Sequence, residues 1–366
     1  MQIQKRIIQK ELKYENVVVL KYHIEYPRIT NESNNIPSMK FNIYNEQIAK
    51  QIQRKAENEL YKEAVELYKY NKNEDKTERI AVIIPDIEES QWSAFKYGLK
   101  MASQEYGVNT ILISKSNINL SEDEMEVVKQ EIDKGADAII VKMTGNSNEY
   151  SQLKKIQKKV PIMLAGESLA ETKKQSDIPV TEPDQYEMGV ALVQKLLEKN
   201  NGNLSGKKIG IFLENSNSEA DLNRREGVCD TLKGTGAEIV WTVSRDEEIK
   251  RNTTLQSQRK VDIVLALDDT SFVEAGESVK QNNLYGAIVY GIGNSTEAVY
   301  YLDARWAECL IVPDEFTAGY QCVAETVNAL RKTFYQMKNQ EVPYTVLTRD
   351  NLFSKENQDL LFTLSK

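Results

Sequence analysis

From Glu78 onward the chain alternates between short, uniformly apolar runs and longer stretches whose apolar residues recur at three- and four-residue spacing. The short runs are rich in Val and Ile, the pattern of strands buried on both faces, and the longer ones read as amphipathic helices. Strands are predicted at 80–84, 110–114, 138–141, 161–165, 208–213, 238–243, 263–266 and 287–291. Helices are predicted at 93–106, 121–134, 149–158, 185–199, 220–232, 247–259 and 271–282. A strand-like run at 309–312, a helix at 316–338 and a strand at 342–348 complete the pattern. Such alternation predicts parallel sheets covered on both faces.

The rhythm breaks at Thr181-Glu182-Pro183-Asp184, after which a long helix and a fresh strand begin. Gly206-Lys207-Lys208 opens this second half much as Glu78-Arg79 opens the first, so the fold class is α/β with two Rossmann-like lobes and a cleft between them. The first 76 residues read differently. Strand character at 2–12 and 17–29, with a turn at Glu15-Asn16, predicts a hairpin. Phe41, Ile48, Ile52, Ala56, Leu60, Ala64 and Leu67 predict an amphipathic helix, and the wholly polar stretch 71–77 a linker. The expected domains are 1–76, then 77–184 with 314–338 as the first lobe, and 185–313 with 339–366 as the second.

Composition narrows the function. A net charge of −8 over 366 residues excludes nucleic acid as a main partner, since phosphate binding needs a concentrated positive face. The lysines at 154, 155, 158 and 159 read as a solvated helix face. Three cysteines, Cys229, Cys309 and Cys322, make no disulfide framework, although one pair could bridge. No apolar run approaches the ~20 residues of a membrane helix. Met1 opens on polar sequence, so no secretory signal is expected in this chain, consistent with a cytoplasmic protein or with a chain whose leader or anchor is missing.

Catalytic patterns are wanting. The only histidine, His23, lies in a predicted strand without partners. There is no GxSxG elbow, HExxH, paired CxxC or P-loop, and the first strand–helix loop lacks the glycines that let a pyrophosphate approach. No catalytic residue, metal or cofactor is expected. Polar and aromatic residues gather instead at the carboxyl ends of the strands, where open α/β sheets bind ligands. They are Glu88, Glu89, Gln91 and Trp92, then Lys142, then Gly166-Glu167, and in the second half Asn215 to Ser218 leading to Arg224, then Asp268-Asp269, then Gly293-Asn294. Planar Arg and carboxylates bind hydroxyls in pairs, and an aromatic ring stacks on an apolar sugar face.

From Glu78 to the end the chain resembles the type I periplasmic sugar-binding proteins of the ribose- and galactose-binding class. The stretches that carry this are IAVIIPDIEESQWSAFKYGLKMASQEYGV, KGADAIIV, PDQYEMGVALVQKLL, NRREGVCDTL, DIVLALDDTSFVEAG and TRDNLFSKENQDLLF. HIEYPRI in the N-terminal segment resembles the start of an extracytoplasmic domain of anti-sigma factors and deacetylase-associated proteins. The resemblance implies an aromatic pair at Gln91 and Trp92, a lobe-crossing Asp at Asp184, a ligand-clamping Arg at Arg224 and an Asn-Asp pair at Asp268 and Asp269. The family's later acidic position falls on Gly293 beside Asn294, and its first-loop amides on Glu88 and Glu89. With the hinge residue Asp314, the expected ligand-binding set is Glu89, Gln91, Trp92, Glu167, Asp184, Arg224, Asp269, Asn294 and Asp314.

The resemblance further implies an extracytoplasmic protein, a lipoprotein in some members, whose lobes close about hinges near Asp184, Pro313-Asp314 and 339–343. Its partners would be a small polar ligand, a sugar by preference, and an ABC-transporter permease or membrane sensor kinase, with membrane contact only through an anchor outside this chain. The acidic loops lead us to expect a cleft that repels anions, a phosphorylated sugar among them, and takes a neutral pyranose, an amino sugar or a cationic ligand. The alternative is a sugar-responsive transcriptional regulator with the same core, which requires a helix-turn-helix before Glu78.

Overall fold

The computed structural model describes residues 7–14, 17–24, 77–84, 90–114, 124–142, 150–166, 178–246, 254–332 and 335–364. The chain divides into two units, 1–76 and 77–366. In the first, β1 (Ile7–Tyr14) and β2 (Val17–Ile24) pair antiparallel with Tyr14 opposite Val17, the hairpin that the alternation predicts. The amphipathic helix expected at 41–67 lies outside the described residues.

The second unit runs β3 (Arg79–Ile84), α1 (Ser93–Tyr106), β4 (Asn109–Ser114), α2 (Glu124–Asp133), β5 (Ala138–Lys142), α3 (Tyr150–Ile156), β6 (Ile162–Ala165) and β7 (Val180–Glu182). It continues with α4 (Gln185–Lys199), β8 (Lys208–Leu213), α5 (Glu219–Leu232), β9 (Glu238–Ser244), β10 (Ile263–Ala266), α6 (Asp269–Lys280), β11 (Ile288–Ile292), α7 (Thr296–Asp303) and β12 (Cys309–Pro313). Then come α8 (Glu315–Arg331), β13 (Gln340–Glu341), β14 (Tyr344–Leu347) and α9 (Gln358–Leu364). The strands form two six-stranded sheets, β13-β7-β6-β5-β3-β4 and β14-β12-β11-β10-β8-β9. Setting the outermost β13 and β14 aside, both sheets are parallel and have the same order, second-first-third-fourth-fifth. The duplicated rhythm in sequence is thus a duplicated topology.

The uniform apolar runs follow from burial on both faces. Ile80, Val82 and Ile84 pack with Phe95, Leu99 and Val323 on one side of the first sheet, while Ala81 and Ile83 pack with Val128 and Leu153 on the other. In the second sheet Ile209, Ile211 and Leu213 meet Met188, Leu192 and Val228, and Phe212 meets Phe272 and Leu302 across the strands. Each lobe is closed by one helix of its own and one that arrives from the other lobe, α1 against α8 and α4 against α5. Both pairs touch through reciprocal glycines. A Cβ on Gly98 would lie 2.1 Å from the Phe316 carbonyl oxygen and one on Gly319 2.3 Å from that of Phe95. On Gly189 it would lie 2.1 Å from the Arg224 oxygen and on Gly227 2.2 Å from that of Tyr186.

The chain passes between sheets three times: between Glu182 and Gln185, between Pro313 and Glu315, and between Glu341 and Tyr344. The third crossing falls later than the boundary expected after residue 338, because Gln340 and Glu341 pair with Thr181 and Glu182 of the first sheet. Of the strand expected at 342–348, Tyr344–Leu347 forms β14, and β13 lies just before the expected start, separated from β14 by Pro343, which has no N–H for a ladder and whose carbonyl accepts instead from Asp314 N at 2.9 Å. The helix expected at 316–338 ends at Arg331, and of 247–259 the described part is a short 3-10 turn, Leu255–Ser257. Helices α7 and α9 and strand β7 were not anticipated. The three cysteines are free thiols, with burial pushing Cys309 and Cys322 up to about 12.

Candidate ligand-binding cleft

In a sheet of this order the loops after the first and third strands diverge, leaving a crevice at the carboxyl edge. Both lobes turn that edge toward a cleft of about 370 Å³. The first lobe supplies Gln91 and Trp92 from a 3-10 turn after β3, Lys142 from the end of β5, Gly166 from the end of β6 and Glu315 from the first turn of α8. The second supplies Asn215, Asp221 and Arg224 around α5, Arg245 and Asp246 after β9, Asp268 and Asp269 after β10, and Asn294 after β11.

On the first-lobe wall, Lys142 Nζ donates to Glu315 Oε2 at 2.6 Å, with the two side chains 3% and 9% exposed. The same ammonium lies 5.3 Å from the Trp92 ring centroid and 4.8 Å from that of Phe95, a desolvated cation over two aromatic faces. Gly166, at φ 92°, leaves the room for it, since a Cβ there would lie 3.1 Å from Nζ. The peptide oxygen of Gly166 accepts from Gln185 Nε2 at 2.8 Å, and Gln185 Oε1 accepts from Arg224 Nε at 2.7 Å. Gln185 thereby joins a first-lobe loop to the guanidinium of the second lobe. Arg224 is completed by a bond from Nη1 to the Leu267 carbonyl at 2.7 Å and by Asp221 at 3.5 Å.

The second-lobe carboxylates serve the backbone. Asp268 caps α6, accepting from Ser271 N at 2.8 Å, and also takes Glu214 N at 2.7 Å. Asp269 Oδ1 accepts from Asn294 N at 2.7 Å and Ser295 N at 2.8 Å, which fixes the loop between β11 and α7. From that loop Asn294 Nδ2 crosses to the first lobe and donates to the Gln91 carbonyl at 2.9 Å. Burial pushes the Asp269 carboxyl up to about 6 against the pull of its N–H donors, and raises Asp268 likewise.

Of the residues predicted from sequence, Gln91, Trp92, Arg224, Asp269 and Asn294 line the cleft, while Glu89 and Glu167 lie outside the described residues. Asp184 and Asp314 are not in its lining. Their carboxylates cap α4 and α8, accepting from Glu187 N and Thr317 N at 2.9 Å each, so it is the next residue of each crossover, Gln185 or Glu315, that enters the polar network. A signal for this was present in the chain. Pro183-Asp184-Gln185-Tyr186-Glu187-Met188-Gly189 and Pro313-Asp314-Glu315-Phe316-Thr317-Ala318-Gly319 are one repeat, with proline, capping Asp, a buried polar residue, an aromatic and the helix-contact glycine in register. The expectation that acidic loops make the cleft repel anions is tempered by Arg245, which joins Lys142 and Arg224 in its lining. Among the described residues no group of His, Cys, Asp and Glu is placed to hold a metal ion.

Two doubly wound lobes, three crossings and a polar cleft at both switch points define a two-lobed binding protein. The periplasmic binding protein domain model matches residues 80–333, and the chain belongs to that family. A search of curated protein sequences gives no significant match. Among solved structures, the chain is similar to GanP, a glucose-galactose binding protein from Geobacillus stearothermophilus (TM-score 0.65, 17% identity, 76% of this chain and 99% of that one). It is also similar to a carbohydrate transporter solute-binding protein from Agrobacterium radiobacter in complex with D-arabinose (0.65, 16%, 78% and 98%). A third is the Caulobacter myo-inositol binding protein bound to myo-inositol (0.63, 17%, 78% and 97%). None of the described helices is long and apolar enough to cross a membrane.

Proposed function

We propose that this chain is an extracytoplasmic solute-binding protein that takes a small polar ligand, a sugar, into the cleft between its lobes and closes on it by bending at the three crossings. It would present the closed form to an ABC-transporter permease or a membrane sensor kinase, and be held at the membrane only by an anchor outside this chain. The observation that carries the reading is the facing of Trp92 and Lys142 on one lobe by Arg224, Asp269 and Asn294 on the other, around a volume suited to one small molecule. The neighbours bound to D-arabinose and myo-inositol support the choice of ligand class. The reading is tested by thermal unfolding in the presence of D-galactose, D-arabinose and myo-inositol, and of polyamines and nucleosides as contrasts. A ligand at one hundred times its dissociation constant adds about 2.7 kcal/mol of stability. A sugar should raise the midpoint of the wild type and not of Arg224→Ala; a panel without effect, or one that acts equally on both proteins, contradicts it.

A further inference from the structure

The first-lobe wall of the cleft contains a device that a plain hydrogen-bonding surface does not need. Lys142 and Glu315 both line the cavity, both are more than nine-tenths buried, and their charged atoms meet at 2.6 Å. Trp92 and Phe95 fix the ammonium from further sides. A buried ion pair carries a desolvation cost, and well-packed apolar residues of the same volume commonly hold a wall together as well or better. Stability therefore does not explain a charge pair at this place.

Glu315 engages Lys142 through Oε2 alone, and no described residue hydrogen-bonds its Oε1. Lys142 gives Glu315 one of the three protons of its ammonium. The counterpart in the other half of the repeat differs, because Gln185 has its amide nitrogen bound to Gly166 and its oxygen to Arg224. The Lys142–Glu315 pair thus keeps one strong donor and one strong acceptor at fixed spacing with no net charge. Neighbouring hydroxyls satisfy both at once. A cationic ligand meets the ammonium of Lys142, and an anionic one meets the carboxylate of Glu315, in surroundings where like charges repel far more than in water.

We propose that Lys142 and Glu315 together determine the charge class of the ligand: they select an uncharged polyhydroxyl compound, with adjacent hydroxyls bridging Nζ and Oε1, and reject amino sugars and sugar acids alike. The proposal rests on the reading of the cleft as a sugar site. It is tested by calorimetric titration of the full chain with neutral D-galactose, D-arabinose and myo-inositol and with charged glucosamine and glucuronate. The wild type should bind at least one neutral probe about tenfold or more tighter than either charged one. Glu315→Gln should move the ratio about tenfold toward glucuronate and Lys142→Met about tenfold toward glucosamine. The double variant Lys142→Met/Glu315→Gln, which buries no unpaired charge and so covers the case of a single variant that fails to fold, should lose discrimination against both charged probes. An unchanged neutral-to-charged ratio in the double variant overturns the assignment, as does a wild type that binds glucosamine or glucuronate as tightly as the neutral probes. A wild type that binds none of the five overturns the sugar reading along with it.

Discussion

The second lobe receives its crossover helix at Asp184-Gln185 and the first lobe receives its own at Asp314-Glu315, and an amide in one place against a carboxylate in the other changes what each half brings to the cleft. Around Gln185 every bond is neutral or to a guanidinium, and the bonds run from lobe to lobe: Gly166, Gln185, Arg224, Leu267. Around Glu315 the bond is a buried charge pair confined to one lobe. The same repeat therefore serves as a tie between lobes at one crossing and as a charged fixture of the wall at the other. Duplication fixed the scaffold, and one atom type per copy set the chemistry.

The comparison makes the fixture at Glu315 the more sensitive of the two. Glu315→Leu leaves Lys142 charged and buried among aromatic rings, and should cost about 3–5 kcal/mol. Gln185→Leu removes hydrogen bonds without stranding a charge in a sealed site, and should cost about 1–3 kcal/mol. Chemical denaturation of both variants checks the order, and equal losses would break the contrast. Lys142→Met/Glu315→Leu should regain most of what Glu315→Leu loses, since no buried charge is left.

What the lobes share should respond alike. Gly98→Ala and Gly189→Ala each drive a methyl into a carbonyl of the partner helix, and overpacking of this kind costs about 1–3 kcal/mol. Calorimetric unfolding should show comparable losses for the two, whereas a loss in only one would mean that the helix contacts are not equivalent.

A smaller effect distinguishes the second lobe. Asp269 is held near 6 in the folded protein and titrates near 3.8 when exposed, so between those values the native state keeps a proton that the unfolded chain has given up. Stability should then fall as pH rises through that window, by linkage. Replacing the group by its neutral isostere, Asp269→Asn, should remove this part of the slope from a plot of unfolding free energy against pH. An unchanged slope would place the carboxylate in water.

Much of this was legible in sequence because burial on both faces leaves so plain a pattern. Helices Ser93–Tyr106 and Gln185–Lys199 and strands Lys208–Leu213 and Ile263–Ala266 fall at the residues that the periodicity marks. Trp92 and Arg224 could be found because Trp92 directly precedes helix Ser93–Tyr106 and Arg224 lies near the start of helix Glu219–Leu232, the helices that follow the first strand of each lobe. Helix α7 was missed because its eight residues show only two turns of pattern, and strand β13 because its two polar residues, Gln340 and Glu341, carry no apolar signal. The Lys142–Glu315 pair joins residues 173 positions apart, and no local pattern announces it. Asp184 and Asp314 stand out in sequence as polar residues at crossings, yet an Asp before a helix is first of all a cap.

Trp92 is placed to report directly on whether the cleft between the lobes binds a small polyhydroxyl ligand. The chain has three tryptophans, of which Trp241 and Trp306 lie away from the cleft lining, so Trp241→Phe/Trp306→Phe leaves Trp92 as the sole indole. Titration of that protein with D-galactose, D-arabinose and myo-inositol, read by indole fluorescence, should give a saturable change for at least one of them that disappears when Arg224→Ala is added. A flat response to all three, or a change that persists undiminished without Arg224, would contradict the account.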